Sequence, residues 1–185
     1  MKKRIIIGLF SCLVLIQIVV PLSMIAKKEA ILKNGKQFKF KTAPVDPYDA
    51  FRGRYVALRI ASDSAPNPGN NFNPGGKVYA HIALDDQGFA VISKVTAKRP
   101  KEGDYIKTTT RYRFDSDGKI FLNMPFDRYY MEENAAPAAE AAYRKHSSQG
   151  NESAYVTVRI KSGFAVLEEL YVGGKPILEF IEQSQ

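Results

Sequence analysis

Two hydrophobic patterns divide the chain. Residues 5–25, "IIIGLFSCLVLIQIVVPLSMI", run for 21 positions without a charge, which at about 1.5 Å per residue matches the ~20 apolar residues a membrane-spanning helix requires. Beyond them the pattern turns to alternation. "QFKFKT" sets Phe38 and Phe40 against Lys39 and Lys41, and "YVALRI" sets Val56, Leu58 and Ile60 against Tyr55, Ala57 and Arg59; period two is the signature of a strand with one buried face. Further strands are predicted at 77–84, 89–97, 104–114, 119–124, 154–160 and 164–172. They are separated by "DDQG", "DSDG", "KSG" and "GG", which suit hairpin turns. The predicted fold is therefore mainly β: an N-terminal transmembrane helix, then an antiparallel β-sandwich or partly open barrel with one short helix.

Two stretches interrupt the alternation. The Pro-, Gly- and Asn-rich run at 61–76 is expected to be an exposed loop outside any ladder. "NAAPAAEAAYRKH" is expected to supply the short helix, with Asn134 available as a cap and Pro137 tolerable only in the first turn.

A cleaved signal peptide competes with the anchor, since Lys2, Lys3 and Arg4 form a positive leader. Cleavage favours a short apolar core followed by small residues, whereas this run is long and places Met24 where a small residue belongs. The reading adopted is an uncleaved anchor at about residues 5–25. It divides the chain into 1–34 (cytoplasmic leader, anchor and juxtamembrane segment) and 35–185 (exported β-rich domain). Signal-like leaders leave the N-terminus in the cytosol while long domains translocate, so a single-pass membrane protein with its C-terminal domain outside the cytoplasm is expected.

Charge alters little. The net +8 is concentrated at the start, where residues 1–35 hold six of the 27 Lys and Arg and one of the 19 acids. The remainder is close to neutral, and a nucleic-acid partner is not expected. The single cysteine, Cys12, lies in the apolar run, so the β domain must be held by its core rather than by disulfides.

Chemistry-bearing residues are sparse. Ser23 and Lys107 would be needed together for a Ser/Lys peptidase, whose nucleophile requires a desolvated lysine beside it, yet Ser23 falls at the edge of the apolar span. His81 and His146 lack zinc-ligand spacing. No catalytic residue, metal site or cofactor is assigned.

The informative stretch is "PVDPYDAFRGRYVALRI" at 44–60. Pro47 fixes extended geometry, Asp46 and Asp49 can accept amide hydrogen bonds, and Gly53 permits a tight backbone approach, so these four define a structural corner. Arg52, Arg54, Tyr55 and Arg59 are the candidate binding residues, because Arg and Tyr dominate binding hot spots; alternatively Arg52 and Arg54 pin the corner by bonding Asp46 or Asp49. The stretch resembles the hallmark of the GDYxxLxY family of membrane-anchored bacterial envelope proteins. Gly53, Tyr55 and Leu58 match the signature, while Arg54 stands for its Asp and Ile60 for its last Tyr. A literal "GDY" at Gly103 to Tyr105 is followed by Thr108 and Thr110 where Leu and Tyr belong, and is read as coincidence. The resemblance implies the bacterial inner membrane, with the C-terminal domain periplasmic or extracellular, and an accessory or partner-binding module serving a polytopic membrane protein or other envelope protein. An envelope enzyme or a small-ligand sensor is the alternative.

Overall fold

The computed structural model describes residues 2–43, 55–66, 72–114, 118–147 and 153–183. The chain opens with α1 (Lys2–Asn34), a 33-residue helix that continues through Pro21 and beyond the apolar run. Its length is about 50 Å, more than the ~30 Å thickness of a bilayer's hydrocarbon core. Its apolar side chains are exposed, whereas Ile31, near its end, is 5% exposed and joins the β domain.

Among the described residues, twelve strands and two short helices follow. They are β1 (Lys36–Ala43), β2 (Tyr55–Ala57), β3 (Arg59–Ile60), β4 (Ser64–Pro66), β5 (Lys77–Leu84), β6 (Ala90–Thr96), β7 (Tyr105–Phe114), β8 (Lys119–Leu122), β9 (Arg128–Tyr130), α2 (Ala136–Ser147), β10 (Ala154–Lys161), β11 (Phe164–Val172), β12 (Lys175–Pro176) and α3 (Ile177–Glu182). One antiparallel sheet has the order β12-β11-β10-β1-β3 and a second the order β4-β8-β7-β5-β6; β2 and β9 form a separate ribbon. Together they enclose one core and approach a closed barrel.

Residues 55–66 make the closure. In twelve residues the backbone pairs first with β9, then with β1, then with β8. Between β2 and β3, the Leu58 amide donates to the Asp127 carbonyl at 2.8 Å, and the Ala61 amide donates to Lys41 O at 2.9 Å. Val56, Leu58 and Ile60 are buried while Ala57 and Arg59 are exposed, as alternation predicts. On the other side of the barrel the Lys107 amide donates to Gly163 O at 2.8 Å, joining β7 to the β10–β11 turn. Gly163 has φ +85°, and a Cβ there would meet the Tyr105 ring at 2.5 Å, so only glycine fits both the turn and the contact.

The core is continuous. Phe40, Val156, Val158 and Leu170 from the first sheet meet Val78, Ile106, Ile120 and Leu122 from the second. Phe40 packs its ring on Phe126 at 5.1 Å. The small helix α2 buries Ala136, Ala139, Tyr143 and Ser147 along one stripe, and the Tyr143 hydroxyl donates to the Ala43 carbonyl at 3.0 Å.

The expectation for residues 61–76 is corrected. Ser64–Pro66 joins a ladder as β4, paired antiparallel with β8, and Ala65 and Phe72 are buried. β4 is an edge strand, where the missing amide of Pro66 breaks no ladder bond. The predicted short helix forms as α2 with Pro137 in its first turn. A second short helix, α3, adds to it at the C-terminus, burying Ile177 and Ile181 one turn apart.

Since Leu58 is 6% exposed and lies where the chain changes sheets, Leu58→Ala should destabilise the β domain by about 2–4 kcal/mol. Exposed Ala57→Ser should shift stability by less than about 0.5 kcal/mol. Urea unfolding followed by circular dichroism measures both, and equal small effects would contradict a closing role for Leu58.

Candidate functional site

The corner residues Asp46, Pro47, Asp49 and Gly53, with Arg52 and Arg54, lie outside the described residues. Tyr55 and Arg59 are described. Arg59 lines one depression, whereas Tyr55 packs beside Arg128 and Tyr130, which line a second; Asp127 lines both.

Tyr55 is half-buried in an aromatic-basic cluster. It pairs with Tyr130 across β2 and β9, their rings 5.7 Å apart, and the Arg128 guanidinium lies 5.2 Å from the Tyr55 ring centroid. Such stacking holds a cation in place while leaving its donors open. Tyr130, at 67% exposure, presents the most open aromatic side chain of the domain's described residues.

Arg59 is exposed at the rim of a pit of about 170 Å³ lined also by Asp63, Arg111 and Asn123. Asp63 is 5% exposed. Its carboxylate accepts from Arg111 Nη1 at 3.2 Å, and the same guanidinium reaches Leu122 O at 3.1 Å and Asn123 Oδ1 at 3.3 Å. The Asp63 backbone carbonyl in turn accepts the Leu122 amide at 2.8 Å. Arg111 therefore spends its donors on closing β4 onto β8, and Arg59 is the cation left at the rim. Asp63, Arg111 and Asn123 carried no sequence signal, since Asp63 lies in the apparent loop and Arg111 within an ordinary-looking strand.

Around the other depression, the Tyr129 hydroxyl donates to Glu169 Oε1 at 2.5 Å. Burial pushes the Tyr129 hydroxyl well above the ordinary tyrosine range, and the Glu169 carboxylate adds to the shift. Burial likewise raises the pKa of the Tyr143 hydroxyl.

The other candidates are dispersed. Ser23 donates its hydroxyl to Val20 O at 2.7 Å within α1, and Lys107 projects from the exposed side of β7; neither arrangement activates a nucleophile. His81 bonds Thr96 Oγ1 at 3.2 Å, and burial, then Lys94, lowers its pKa. His146 bonds Ser153 Oγ at 2.9 Å and packs on Phe180. Among the described residues, no group of three or more His, Cys, Asp or Glu side chains could hold a metal ion.

The family model described as GDYXXLXY protein matches residues 17–170, from the second half of the apolar run through most of β11. The chain belongs to this family. No curated protein and no solved structure matches it. Within the family signature, Leu58 and Ile60 are core residues and Tyr55 supports the Arg128–Tyr130 cluster. The Tyr-to-Ile replacement at position 60 keeps an apolar group in a buried site.

The Tyr129–Glu169 bond generates a pH prediction. A hydroxyl whose folded pKa lies above its unfolded value stabilises the fold fully below the unfolded pKa, about 10. The contribution is lost as pH rises from there through the folded pKa. Tyr129→Phe should cost about 1–2 kcal/mol at neutral pH and flatten the alkaline fall in stability, measured as melting temperature between pH 8 and roughly 11. A variant with the wild-type alkaline profile would count against a buried, bonded hydroxyl.

Proposed function

We propose that the chain is a single-pass protein of the bacterial cytoplasmic membrane, with its N-terminus in the cytoplasm and residues 35–185 exported. In this reading the β domain is an accessory or partner-binding module for a polytopic membrane protein or another envelope protein. The supporting observation is the pairing of a helix long and apolar enough to cross a bilayer with a β domain whose family-signature strand leaves Arg59 exposed and Tyr55 half-exposed. The run at 5–25 exposes its Ile, Leu, Val and Phe side chains along α1, far more apolar surface than a water-soluble protein leaves uncovered. The positive leader and the long domain behind the helix support the orientation.

The partner face is the outward side of residues 55–59, with Arg128 beside it. Arg52 and Arg54, immediately upstream, belong to the same proposal on sequence grounds. Tyr55 is fixed by stacking and so loses little freedom on binding, while Arg59 offers a planar donor fork for carboxylates.

Anchoring predicts that the mature protein keeps residues 1–25 and stays with membranes through high salt and alkaline extraction. A soluble form beginning near Lys27 would overturn it. Partner binding predicts that Tyr55→Ala combined with Arg59→Ala preserves folding and insertion while reducing the yield of a specific cross-linked product in native membranes by roughly tenfold. An unchanged cross-linking pattern from the folded variant moves the binding face elsewhere.

A further inference from the structure

Lys27 and Lys28 follow Ile25, the last residue of the uncharged run, by two and three positions. At 1.5 Å per residue they stand about 3–5 Å beyond the apolar edge, within a headgroup layer about 5–7 Å deep on each side of the bilayer. The β domain reaches down to the same level. Lys27 Nζ lies 3.3 Å from the ring centroid of Phe164, the first residue of β11. Lys28 lines a groove of about 480 Å³ together with Arg128, Tyr130 and the start of β11.

The surface at this level has an unusual composition for a water-facing one. Phe164 is 43% exposed and Tyr130 67% exposed, and exposed Lys161 sits beside Phe164 at the hairpin tip. Among the described residues neither Lys28 nor Lys161 has a carboxylate partner. Two acids line the groove: Glu168 is held by Arg159 at 3.0 Å and by Gln37 at 2.5 Å, and Asp127 lies 3.8 Å from Arg128, which leaves Lys28 and Lys161 as the unpaired charges. Aromatic rings with long cationic side chains are the composition of a membrane interface: rings settle at headgroup depth and ammonium groups reach the phosphates.

We propose that this end of the β domain is a second membrane contact, docking onto anionic phospholipid headgroups. Lys28, Lys161 and Arg128 meet the lipid phosphates, and Phe164 and Tyr130 enter the boundary between headgroups and acyl chains. The inference rests on the reading of α1 as an anchor. Position favours lipid over a protein ligand, because Ile31 and Gly35 fix α1 against the domain and hold the surface at headgroup depth. Charge favours anionic lipid, since Lys28 and Lys161, without carboxylate partners beside a spanning helix, draw it electrostatically.

The chain has no Trp, so Phe164→Trp installs a lone fluorescent reporter, and Leu178→Trp, on exposed α3 beyond the far end of β11, serves as the control. Each full-length variant is placed in nanodiscs of phosphatidylcholine with brominated acyl chains, with or without a third of the lipid replaced by phosphatidylglycerol. The expected result is severalfold stronger quenching of the Phe164→Trp reporter than of the control. Phosphatidylglycerol should increase it about twofold, and Lys28→Gln with Lys161→Gln, or high salt on the unsubstituted surface, should remove that increase. Equal quenching of both reporters in a chain that resists alkaline extraction overturns the docking surface while leaving the anchor standing. Quenching indifferent to phosphatidylglycerol overturns the anionic-headgroup contact, and a chain released by alkali overturns the anchor and this inference together.

Discussion

The fold depends on the demand that every buried backbone donor and acceptor in residues 55–66 find a partner while the strand crosses from one sheet to another. No single neighbour can satisfy it. β2 takes β9, Leu58 takes the Asp127 carbonyl, β3 takes β1, Ala61 takes Lys41 and β4 takes β8. Because Val56, Leu58 and Ile60 point inward throughout, the same stretch also fills the space between the sheets. The closing bonds are reinforced from the side by Asp63 and Arg111, a pair half open to solvent on the arginine side. Its value lies in the carbonyl and amide bonds it orients more than in the ion pair itself.

The long apolar helix is joined to this body without a flexible linker. α1 ends at Asn34 and β1 begins at Lys36, leaving Gly35, where a side chain would collide with the Ile31 carbonyl. Arg159 reaches back to the Gly35 carbonyl at 3.2 Å and to Glu168 at 3.0 Å, while Lys36 pairs with Asp104 at 2.6 Å. Helix, first strand and hairpin are therefore joined as one body.

Much of this was legible in the sequence, and the exceptions have physical causes. Long strands with one buried face announce themselves by alternation, which is why 77–84 and 164–172 coincide with β5 and β11. The short strands β4, β9 and β12 hold two or three residues each, too few to show a period. β4 was further disguised by Pro66, harmless at an edge. Helix α3 spans only six residues, so its two buried isoleucines look like any apolar pair. Of the candidate site, the inward and outward assignment of 56–60 was readable, whereas the half-burial of Tyr55 and the company Tyr55 and Arg59 keep were not. Arg128, Tyr130, Asp63 and Arg111 come from distant segments, and only strand pairing brings them there.

The claim that residues 55–66 bind both sheets into one cooperative unit is tested most directly by native-state hydrogen exchange of the Leu58, Ala61 and Leu122 amides, which donate to Asp127, Lys41 and Asp63. If the segment closes the barrel, these amides exchange only through global unfolding, with the same denaturant dependence as the central-strand amides of Ile106 and Val156. Exchange of the three at a markedly lower opening free energy, with the central strands still protected, would show that the barrel survives without its closure and would contradict the account.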